Sequence, residues 1–144
     1  MKPGFVATIM VGAGACALVV SALAAVTEET LGKTEYQTRC AMCHGVSGKG
    51  DGWMADNLLQ RPPSLTQLKK NNGGVFPLAK VTDVIHGKKL VKLHGPREMP
   101  VWGDVYREEQ EWASMARNGQ PSSDERIVRA KVRALAGYLA QLQE

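Results

Sequence analysis

Two cysteines and a histidine fall within five residues, Cys40-Ala41-Met42-Cys43-His44, and no other feature of the 144-residue chain constrains its fold as tightly. The two intervening residues coil the backbone so that both thiols face one side, with the imidazole of His44 directly after them. Few chemistries use that spacing. A redox dithiol is expected beside a βαβ pattern, and no alternating apolar–polar run of useful length occurs here. A zinc site needs further Cys or His at ligand spacing, and the one remaining cysteine, Cys16, sits in an apolar segment at the N-terminus. A structural disulfide or a periplasmic dithiol stays open.

C-x-x-C-H is the attachment signature of c-type haem. The two thiols can add to two vinyl groups on one porphyrin edge as thioethers, and the adjacent His44 then projects over the ring to ligate iron. The N-terminal segment fits that chemistry. No residue from Phe5 to Val26 is charged, and Lys2 is the only charged side chain upstream. The run ends in Ala22-Leu23-Ala24, an A-x-A cleavage pattern, so residues 1–24 are expected to be a secretory signal peptide and residues 25–144 the folded domain. The alternative is an uncleaved anchor over residues 5–26, a length that at ~1.5 Å rise per residue would cross ~30 Å of hydrocarbon and hold the domain at a membrane. Either reading places the domain in the periplasm or another exported compartment, the oxidising setting in which haem is attached.

The rest of the chain is an ordinary globular sequence, 44% hydrophobic and 22% charged, which excludes wholesale disorder and polytopic membrane topology. Helices are expected over about Glu28–Arg39, over Leu78–His86 with Gly87 as the stop, and over Glu108–Asn118 closed by Gly119. A last helix follows Pro121, with Ser122-Ser123-Asp124-Glu125 as a capping box and Val128, Val132, Leu135, Leu139 and Leu142 on one face. Between them lie the glycine-rich loop Gly45–Gly52, a helical turn near Met54–Leu59 and the Arg61-Pro62-Pro63 corner. A short helix over Leu65–Lys70, a turn at Asn71–Gly74 and an extended loop over His94–Trp102 complete the reading. The fold class is all-α, with long loops that need something inside them to pack against.

With these residues in view, the chain resembles a monohaem class I cytochrome c over nearly the whole of residues 25–144. Gly32 and Tyr36 match the small and aromatic pair of that family's N-terminal helix, and Leu135 and Tyr138 match the apolar and aromatic pair of its C-terminal helix. The two helices cross at close range, where glycine lets the backbones approach. The glycine-rich run after His44, the proline corner and a downstream Met-Pro occur in family order. The resemblance implies a cytochrome c fold of three to five short helices and long loops around one covalently attached haem c. No second C-x-x-C-H is present, which argues against dihaem and multihaem readings.

Candidates for the sixth iron ligand are Met54, His86, His94, Met99 and Met115. Met99 leads, because Pro96 and Pro100 stiffen a loop that can drape over the open haem face and because its Met-Pro context matches the family. Met115 is read as packed core, and His86 and His94 as ordinary polar residues. The resemblance gives the carbonyl of Pro62 or Pro63, with Pro63 favoured, as acceptor for the second nitrogen of His44. Trp53, Trp102 and Arg61 are candidate donors to the haem propionates, with packing or exposure as the plain alternative for each.

The formal charge of +4 is no basis for a nucleic-acid partner. Yet from Lys69 to Arg97 there are seven basic residues against one acidic, Asp83. A solvated face is the default reading of such a run. Beside the methionine loop, Lys88, Lys89 and Lys92 could instead form a basic rim that steers an acidic redox partner. The reading is therefore a one-electron carrier between a donor and an acceptor protein, either a soluble shuttle or the haem subunit of a respiratory or dehydrogenase complex. No constellation for bond-making catalysis is apparent. The alternative is a haem-based ligand-binding or sensory protein with a labile sixth ligand.

Overall fold

The structure is a computed structural model that describes residues 28–88 and 99–144. The expected leader and anchor segments, together with Lys89, Lys92, His94, Pro96 and Arg97, lie outside the described residues. Among the described residues all regular structure is helical. The helices are α1 (28–44), α2 (Leu78–His86), α3 (Trp102–Asn118) and α4 (Glu125–Gln141), with 3-10 turns at Ala55–Asn57 and Lys70–Asn72 in the connections.

Helix α4 is the hub. Its face of Val128, Val132, Leu135 and Leu139 is buried against Tyr36 of α1, Val81 and Ile85 of α2 and Tyr106 of α3. The α1–α4 crossing is set by Gly32: a Cβ there would lie 2.1 Å from the Ala134 carbonyl oxygen and 3.1 Å from Tyr138 Cβ. One turn on, the Tyr36 and Tyr138 rings meet with centroids 5.3 Å apart, a tilted aromatic pair that fills the space the glycine opens.

Four expectations are corrected. Helix α1 does not end at Arg39 but runs through the Cys-Cys-His motif to residue 44. Helix α3 starts at Trp102, not Glu108. Gly103 in its first turn disguises it, because that glycine serves tertiary packing: its Cβ would sit 2.5 Å from the His86 carbonyl oxygen. Residues 65–69 form turns instead of a helix, with a single 3-10 turn at Lys70–Asn72. The capping box at Ser122 does not form. Asp124 is the N-cap, its Oδ1 accepting from the Arg126 amide at 2.8 Å. Two partners from α3 displace the box: Gln110 Oε1 accepts the Asp124 N–H at 2.9 Å, and Ser122 is held by the buried Ser114 hydroxyl at 2.7 Å.

Candidate functional site

The motif sits on the last turns of α1, and the helix changes pitch just before it. Residues 28–35 are α-helical, Tyr36–Cys40 are π-helical, and Ala41–His44 return to α. A π segment accommodates one extra residue in the turn. In an uninterrupted α-helix His44 would stand about 120° round the axis from Gly32, and the extra residue takes back ~100° of that. His44 therefore shares the inward face of Gly32 and Tyr36, and it is 8% exposed. Beyond it the Gly45–Gly52 loop folds back on the motif. Gly50 donates to the His44 carbonyl at 2.8 Å, Gly52 to that of Cys43 at 3.2 Å, and the Tyr36 hydroxyl to that of Gly45 at 2.7 Å.

His44 opens onto a cleft of about 330 Å³. Val81, Val84 and Ile85 of α2 and Leu135 and Leu139 of α4 form aliphatic walls, with Tyr36 and Trp102 as aromatic ones. Cys40, Pro63 and Met99 also line it. An imidazole and a thioether thus share one apolar slot, a combination that would fit a flat porphyrin held by His and Met. Pro63 is brought in by the corner loop, which is tied to the glycine run through the Leu65 amide on the Gly48 carbonyl at 2.7 Å. Gly50 permits this approach, since a Cβ there would be 2.2 Å from the Pro62 carbonyl oxygen. The polar part of the lining includes Lys80, Asn71 and Asn72. In the sequence these read only as members of a basic run and of a turn; nothing in their spacing links them to the motif.

The remaining candidates are not in the cleft lining. Cys43 is half-buried and is not part of the cleft lining. Arg61 is exposed and pairs with Asp56 at 3.1 Å, so the geometry gives it no role at the cleft. Trp53 is 73% exposed. Met115 is on α3 as expected but is 43% exposed, correcting its reading as core: the buried residue at that turn is its neighbour Ser114. His86 packs at the α2–α3 junction, with Nε2 3.8 Å from Glu125.

The thiols are poor thiolates in this setting. Burial pushes Cys40 up to about 12, with the Glu35 carboxylate acting in the same direction, and burial raises Cys43 as well. A redox dithiol works through the thiolate, which this apolar setting disfavours. A thioether is neutral and carries no such penalty.

An all-α fold closed on an apolar cleft, with imidazole and thioether donors at its walls and a C-x-x-C-H motif at its edge, is that of a haem-binding electron-transfer domain. The chain belongs to the cytochrome c family, whose profile matches residues 29–143. The family carries covalently bound haem c and performs haem-based electron transfer. Comparisons with curated proteins and with solved structures found no match.

Proposed function

We propose that the protein is a one-electron carrier holding a single haem c through thioethers at Cys40 and Cys43, with His44 and Met99 as axial ligands. The observation that carries this reading is that His44 and Met99, far apart in sequence, line the same apolar cleft. When bound, the haem supplies the Fe(III)/Fe(II) couple; the chain supplies orientation, burial and a docking surface. The π segment and the Tyr36–Gly45 hydrogen bond fix the backbone that carries His44. The aliphatic walls from α2 and α4 exclude water, and Pro63 is the favoured acceptor for the second imidazole nitrogen.

Export follows as part of the same proposal, with residues 1–24 as a cleaved signal peptide and the domain in the periplasm or an equivalent compartment. Among the described residues no helix is long and apolar enough to cross a membrane. The partners are redox proteins, and Lys88, which is exposed, belongs with Lys89 and Lys92 to the proposed basic docking rim.

Replacing Cys40 and Cys43 together with Ala is expected to abolish covalent haem. Haem stain should survive denaturing electrophoresis in wild type and vanish in the double variant. Stain persisting in C40A/C43A would overturn the attachment assignment.

A further inference from the structure

One turn before the motif, α1 carries a charged side chain that is almost fully buried. Glu35 is 7% exposed. Its Oε2 accepts from Arg39 Nε at 2.9 Å and from the Tyr106 hydroxyl at 3.0 Å, and Lys131 Nζ lies 3.3 Å from its Oε1. A second carboxylate closes the ring, with Glu109 2.6 Å from Arg39 and 3.6 Å from Lys131. Two cations and two carboxylates alternate around Tyr106, whose ring lies beneath both Lys131 at 4.7 Å and Arg39 at 5.6 Å. The cluster joins α1, α3 and α4, and packing alone could do that more cheaply, since buried ion pairs often cost as much in desolvation as they return.

Its position suggests a further role. Arg39 lies over the Trp102 ring at 5.8 Å, and Trp102 and Cys40 both line the cleft. The cluster is therefore the charged layer directly behind one wall of the cleft. The field of a carboxylate as buried as Glu35 is weakly screened by salt. As built, the charges balance.

We infer that Glu35 and Lys131 are a balanced charge pair behind the haem: each offsets the other's field at the cleft, so removing either one biases the iron toward one oxidation state and shifts the reduction potential. The inference rests on the proposed haem c attachment. In E35Q the amide keeps an acceptor for Tyr106 and Arg39 but leaves one cation uncompensated, which disfavours Fe(III) and raises the potential. K131M leaves one carboxylate uncompensated and lowers it. The double variant E35Q/K131M restores neutrality and returns the potential toward wild type. E109Q, on a more exposed carboxylate, shifts it upward by less than E35Q.

The test is a spectroelectrochemical titration of the four variants as purified holoproteins at low and high salt, with the covalent haem and the optical signature of the methionine ligand recorded for each. Opposite shifts in the two single variants, recovery in the double, and persistence at high salt are expected. If E35Q does not fold, K131M and E109Q still decide the matter, because their predicted shifts differ in sign. Shifts in one direction for both charges, or none, with haem and ligand intact would mean the cluster is only structural and would overturn the inference. A wild-type protein without covalent haem would instead overturn the reading on which it rests.

Discussion

Gly32 shows how a single residue is dictated by what it faces. The Ala134 carbonyl oxygen would be 2.1 Å from any Cβ at that position, and the obstacle is backbone, which cannot rotate away. Gly32→Ala gains some intrinsic helix propensity, about 1 kcal/mol, but must push α1 off α4. Forced overpacking of this kind costs ~1–3 kcal/mol. The expected result is a net loss of stability in a urea titration, with a lowered midpoint and an unchanged slope. A variant as stable as wild type would show that the two helices do not meet at this point. The Tyr36 hydroxyl is equally committed, since its donation to Gly45 holds the turn that follows His44, and burial raises its pKa far above the ordinary range.

Elements divide into those that local chemistry defines and those that tertiary contacts override. The α4 face was legible because four apolar residues at helical spacing face one core. The α2 boundaries were legible because Gly87 caps in the left-handed region. The cap of α4 was not: Ser122 and Asp124 both suit the role, and the choice falls to Gln110 and Ser114, which are distant in sequence. The π segment was not legible either, because nothing in Tyr36–Cys40 marks a change of pitch. The Asp124 cap makes a pH prediction. Its hydrogen bonds from the Arg126 side chain and amide hold its carboxyl down at about 2. A carboxylate whose folded pKa lies below its unfolded value, ~3.9, contributes stability above that value and loses it as pH falls through the folded one. The stability difference between wild type and D124N should therefore be constant above about pH 5 and shrink between about pH 4 and pH 2. A difference independent of pH across that window would mean the Arg126 pairing contributes nothing.

At the scale of the whole molecule, the sequence made the family and the fold class plain through one five-residue motif and a pair of crossing helices. It named His44, Cys40, Met99, Pro63 and Trp102, which line one cleft, but it also named Cys43, Trp53 and Arg61, which do not line it. For Arg61 the reason is physical: nothing in its place along the chain fixes its partner, and a surface arginine takes whichever carboxylate lies nearest, here Asp56. The buried cluster around Glu35 was invisible for the same reason, since its members come from three helices. Docking is also a property of the whole surface. Reversing Lys88, Lys89 and Lys92 to Glu should slow electron transfer to an acidic partner at low ionic strength and flatten or invert the salt dependence. At ~0.15 M salt, where the Debye length is ~8 Å, the two proteins should differ less. Equal salt slopes would reduce these lysines to a solvated face.

The proposed ligation by Met99 would join the cleft to the function in a single bond, and one variant tests it. The oxidised wild-type protein should show the weak sulfur-to-iron charge-transfer band of methionine ligation. Met99→Ala should retain covalent haem, lose that band, bind small ligands such as CO in the ferrous state, and fall in reduction potential. A Met99→Ala protein whose spectrum and potential match wild type, with the band lost instead in Met54→Ala, would contradict the assignment.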